Sequence, residues 1–98
     1  MTQVFNPARG EVALSLGPHR VTLCLTLGAL AELEGALACD SLAALRSRLA
    51  QLRSAELLTV LEILVRAGGG VPAGCVLRSV HPGDAARAVA EAFRAALA

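Results

Sequence analysis

The residues of this sequence that could do chemistry are few and poorly spaced for it. Its three cysteines, Cys24, Cys39 and Cys75, are an odd number at wide intervals. That pattern fits neither a disulfide framework nor the close ligand pairs of a zinc module. His19 and His81 are the only histidines, and no Cys or His pair stands at metal-ligand spacing. The cysteines therefore read as small buried hydrophobes, and no metal or cofactor is assigned. Cys24 and Cys75 lie in apolar stretches, where a thiolate nucleophile is disfavoured. No serine occupies a G-x-S-x-G elbow, and Ser41 and Ser54 precede apolar helical patterns, so both read as helix caps. The triple glycine Gly68-Gly69-Gly70 is followed by Val71 and Pro72, where a nucleotide-binding loop needs a lysine and a hydroxyl residue.

Glu34 is the one acidic residue that interrupts an apolar stripe, lying between Leu27 and Leu30 on a helical wheel. A catalytic carboxylate can look like this. Glu32 projects to the opposite side, however, and without a second carboxylate paired acid/base catalysis has no support. The expected role of Glu34 is structural, its carboxylate accepting hydrogen bonds from a helix terminus or an arginine. No catalytic residue is assigned, and the chain reads as a non-enzyme.

The elements that would carry these residues follow from periodicity. Residues 11–16 and 20–25 alternate with a period of two, placing Val12, Leu14, Leu16, Val21, Leu23 and Leu25 on one face. Gly17-Pro18-His19 between them predicts a hairpin. A two-stranded sheet is marginal alone, so this face is expected to lie on the leucine stripes of the first and third helices.

Thr26 can cap a helix over residues 27–38 with the stripe Leu27, Leu30, Leu33 and Leu37, and Asp40 or Ser41 can cap a second with Leu42, Leu45, Leu49 and Leu52. A third helix, residues 54–67, is apolar around most of its circumference and is expected to be central; the glycine run stops it and is the expected mobile point. Residues 71–80 predict a short helix, and Pro82-Gly83-Asp84 opens a last one running to the end. On its wheel Asp84, Arg87, Glu91 and Arg94 oppose Ala86, Val89, Phe93 and Leu97. The expected fold is mainly α: an N-terminal two-stranded β-hairpin (residues 10–26) packed on a small bundle of four to five short helices (residues 27–98), in a single domain spanning residues 1–98.

Composition removes several function classes. A formal net charge of +1, from nine basic and eight acidic residues, leaves no electrostatic footprint for nucleic acid or anionic lipid. Phe5 and Phe93 are the only aromatic residues, too few for base stacking. The first ten residues lack the regions of a secretory signal, and the longest apolar run is interrupted by Glu62 and ends at Arg66, so the expected location is cytoplasmic, without a membrane partner. The hydrophobic fraction of 55% exceeds the usual globular range and leaves apolar residues for a partner.

Arg9-Gly10-Glu11-Val12-Ala13-Leu14, the hairpin ending Val21-Thr22-Leu23, and Leu27-Gly28-Ala29-Leu30-Ala31-Glu32-Leu33-Glu34 resemble the start of the tail assembly chaperones of gene transfer agents and tailed phages. The resemblance runs through the glycine break at Gly70 and is lost at Val71-Pro72-Ala73-Gly74-Cys75. It implies a phage-like tail morphogenesis factor that holds the apolar tape measure protein until tail tube subunits polymerise around it. Members of the family also carry the label of tail tube protein, so a structural tail component is the nearest alternative, ahead of a generic small helical adaptor or regulatory protein. The implied partners are the tape measure protein or other tail proteins, with self-association a further option. The candidate contact stripes are Leu42, Leu45 and Leu49, and Val89, Phe93 and Leu97, each of which could instead be spent in the core.

Overall fold

The computed structural model describes residues 10–97. Phe5, Arg9 and Ala98, which figure in the readings above, lie outside the described residues. The order is β1 (Glu11–Leu16), β2 (His19–Cys24), α1 (Leu27–Ala36), α2 (Leu42–Leu49), α3 (Ser54–Ala67), a single 3₁₀ turn (Leu77–Ser79) and α4 (Pro82–Leu97). This is the expected mainly α architecture opened by a hairpin.

β1 and β2 pair antiparallel with Val12 opposite Leu23, Leu14 opposite Val21, and Leu16 opposite His19. The loop is therefore Gly17-Pro18 alone, one residue shorter than expected. Gly17 has φ +59° and the proline ring holds φ negative at the next position, the combination that a two-residue type II′ turn requires. Val12, Leu14, Leu16, Val21 and Leu23 are buried, while Leu25 falls just beyond the strand and is half-buried.

Beneath the sheet lie α3, against β2, and α4, against β1. This corrects the expected docking on the first helix: α1 packs on α3 instead. The reason is side-chain size. Ala85, Ala88 and Ala92 are buried on α4 beside Val89 and Phe93, so the helix backbone can come close to the strands. α3 buries Val60, Leu61, Ile63, Leu64 and Val65, as its all-round apolar pattern predicted.

The α1 stripe is rotated from expectation. Ala29 and Leu33 are its buried residues, followed by Leu37 just past its end, whereas Leu27 is 83% exposed. Ala29, Leu33 and Leu37 stand four residues apart and so share one face; Leu27, Leu30 and Glu34 form its flank. Thr26 caps α1 by accepting from the Ala29 N–H at 3.0 Å, and Ser41 caps α2 by accepting from Ala44 at 3.1 Å. Ser54 does not cap α3. The N-cap is Arg53, whose N–H donates to Glu56 Oε1 at 2.9 Å.

At the other end of α3, the Gly69 N–H returns to Arg66 O (3.3 Å) and the Gly70 N–H to Val65 O (2.8 Å), a Schellman closure with Gly69 at φ +123°. The run expected to be mobile is thus tied to the helix it ends. Gly68 has an ordinary negative φ, but its Cα faces the β2 backbone and a Cβ there would overlap the Thr22 carbonyl. The expected helix over residues 71–80 reduces to the 3₁₀ turn, because Pro72 and Gly74 make a turn closed by Cys75 N–H to Pro72 O at 3.1 Å.

Gly68→Ala should lower stability by about 2 kcal/mol or more, since backbone on both sides must move to admit a methyl group. Thermal unfolding followed by circular dichroism measures this, and a midpoint unchanged from the parent would contradict the close approach of α3 to β2.

Candidate functional site

Two residues missed in the sequence set the position of α2. Arg48, near the end of α2, forms a bidentate ion pair with Glu56 in the first turn of α3. Glu56 also accepts from the Arg53 N–H, and its side chain is only 17% exposed. The Arg48 hydrogen bond, followed by that from Arg53, holds the Glu56 carboxyl below its ordinary range, and the same pairing raises Arg48 further above its own. A signal was present, since an acid three residues after a helix start is the second half of a capping box. The arginine partner came from a different helix and could not be read from spacing.

With its end pinned there, α2 buries only Leu45. The six candidate contact residues then divide. Leu45, Val89 and Phe93 are buried at 0%, 5% and 8% exposure; Leu42 is 36% exposed, and Leu49 and Leu97 are half-buried. Burial therefore takes part of each stripe. Of the rest, Leu49 and Leu97 are brought together with Phe93 along an open apolar groove between α2 and α4.

The groove consists of two adjoining depressions that share Leu49 and Phe93. One, of about 420 Å³, is walled by Leu52, Leu57, Ala86, Val89 and Ala90 besides the shared pair. The other, of about 380 Å³, adds Leu97 and is rimmed by Arg46 and Arg94. Leu42 lines neither. Arg94 stands on the charged side of the last helix as expected, but the ion pairs on that side join only Asp84, Arg87 and Glu91, with Arg87 reaching Glu91 at 3.4 Å and Asp84 at 3.8 Å. Neither Arg46 nor Arg94 has an ion pair or side-chain hydrogen bond among the described residues.

A family model described as phage tail tube protein, GTA-gp10, matches residues 9–98. The chain belongs to that family. The match covers the segment after Gly70, where the sequence resemblance was expected to end. No curated protein and no solved structure gives a match. The family is a structural one of phage tails, so chemistry is not what its members are described as contributing.

The residues once weighed for chemistry take other places in this tail-family fold. Glu34 is half-buried, and the expected partner for its side chain is not found among the described residues. On the flank of α1 its carboxylate reaches water, which replaces the partner that full burial would have demanded. Glu32 pairs with Arg66 of α3 at 3.0 Å. His81 precedes α4 and accepts from the Gly83 N–H through Nδ1 at 3.1 Å, acting as a cap. Cys24, Cys39 and Cys75 form no disulfide among the described residues and are half-buried, less enclosed than expected. No group of three or more His, Cys, Asp or Glu gathers among the described residues as a metal site would need. No helix among them is long and apolar enough to cross a membrane.

Because its carboxyl is held below the ordinary range, Glu56 stabilises the fold at neutral pH and loses that contribution as pH falls through its lowered value. Arg48 stays charged throughout. Glu56→Gln should therefore lower the thermal midpoint at pH 7, and the gap to the parent should narrow well below the ordinary glutamate range of about 4. A gap that is the same at both pH values would contradict the ion pair.

Proposed function

We propose that this chain acts in tail morphogenesis as a chaperone, binding the tape measure protein through the α2–α4 groove until tail tube subunits assemble around it. The observation that carries the reading is an apolar groove left open after the core is complete, in a chain whose family belongs to phage tails. A tape measure protein must present a long apolar helical surface before its tube exists, and a groove of this kind receives the apolar face of a helix. The near-neutral net charge favours a protein partner over nucleic acid, and the chain carries no proposed enzymatic role.

A second reading is a structural subunit of the tail tube, which the family's description favours. Tube subunits close a ring through two different complementary faces. The two adjoining depressions between α2 and α4 form one elongated apolar surface, which suits a single helical partner better, so the chaperone reading is preferred.

Co-expression with the tape measure protein of the same gene cluster tests the proposal. The tape measure protein should move from the insoluble to the soluble fraction, and the two should travel together in gel filtration. Equal insolubility with and without this chain, together with no surviving complex, would defeat the chaperone reading.

A further inference from the structure

The groove is not uniform along its length. Its larger depression is walled by apolar side chains and the carbon surface of Ala50 and Ala90, while the smaller ends between Arg46 and Arg94. Four arginines pair with neighbouring carboxylates among the described residues: Arg48 and Arg53 with Glu56, Arg66 with Glu32, and Arg87 with Asp84 and Glu91. Arg46 and Arg94 share with Arg20 and Arg78 the lack of such a partner among those residues, and alone of these flank the groove. The two guanidinium groups at the groove have no carboxylate partner among the described residues, although each could hold one by paired N–H donors.

We infer that the groove takes an amphipathic helix with an uneven charge pattern: leucine-like and alanine-like residues at i, i+3, i+4 and i+7 in the apolar part, and carboxylates at the end that lies between Arg46 and Arg94. This rests on the chaperone reading for the identity of the partner and goes beyond it in naming the surface, the polarity and the recognised chemistry. The apolar part supplies affinity through burial, and the arginine end fixes direction and register. A helix entering the other way round would bury its carboxylates against leucine and leave both arginines facing apolar carbon, which costs desolvation on both sides. Charge also disfavours a second copy of this chain. In a two-fold pairing of groove on groove the two copies run antiparallel, so Arg46 and Arg94 of each would face the apolar depression of the other, and no acidic residue lines either depression to answer them.

The chain contains neither Trp nor Tyr, so tryptophan fluorescence from a synthetic peptide reports the peptide alone. The probe is an amphipathic leucine–alanine helix with one Trp and with glutamates at one end, compared with the same helix carrying lysines there. The full chain should bind the glutamate peptide about tenfold more tightly, with the difference shrinking as salt rises. Arg46→Glu combined with Arg94→Glu should abolish or reverse this preference. Ala90 is exposed on α4 and lines the groove, so Ala90→Glu should keep the parent's thermal midpoint and weaken both peptides about tenfold or more. Leu27→Glu, on the distant exposed flank of α1, should change neither.

Equal affinity for the two peptides, binding of neither, or binding indifferent to Ala90→Glu would overturn the inference. So would a concentration-dependent dimer that Ala90→Glu dissolves, since the occupant would then be a second copy. A peptide preference that persists when the tape measure protein forms no complex would uphold the groove's chemistry and reject the chaperone reading. A tape measure complex that survives both the arginine reversal and Ala90→Glu would do the opposite.

Discussion

A two-stranded sheet has one apolar face and no means of burying it, and the rest of this structure follows from where that face goes. Leu14, Val21 and Leu23 of the hairpin are 2%, 1% and 0% exposed, a degree of enclosure that only a broad helical surface beneath them can provide. α3 and α4 supply it, one under each strand. Close approach then requires small groups at the contact, met by buried alanines along α4 and by Gly68 where α3 ends beside the β2 backbone. Packing, not loop flexibility, explains the first of the three glycines.

Once the hairpin occupies α3 and α4, the other helices take what remains. α1 lies on α3 and is fastened at the surface by Glu32 and Arg66, a pair open to solvent and therefore worth only about 0–1 kcal/mol. α2 has less core to join. It commits Leu45 and is located at its far end by Arg48 on Glu56, a pairing that also closes the first turn of α3. The groove is the geometric remainder of this arrangement: α4 is committed to the strands and α3, α2 is held by one end, and Leu49, Phe93 and Leu97 line the space between them.

Local signals were legible wherever they depended on neighbours in sequence. Alternation gave both strands to within a residue, the caps at Thr26 and Ser41 were visible as side-chain types, and the run from Ser54 to Ala67 announced the central helix. Rotation and pairing were less accessible. Leu27 belongs to an apolar stripe by composition, yet its exposure depends on which face α3 presents to α1. Glu34 looked buried for the same reason. Both contact stripes were named correctly as apolar, but their meeting at Leu49 and Phe93 depends on the angle between α2 and α4, which no periodicity encodes. The lack of a partner for Arg46 and Arg94 among the described residues was equally hidden, because it depends on what lies near them in space.

Membership in a phage tail family and an apolar groove with a basic end support the proposal that this protein serves assembly by holding another chain. A holder and a building block differ in one observable respect, namely whether they remain in the finished object. Quantitative mass spectrometry of purified mature particles measures this directly. The account predicts that the chain is absent, or far below the copy number of the tape measure protein, in particles where tube and tape measure proteins are abundant. Its recovery at a fixed stoichiometric ratio to the tube subunit would contradict the account.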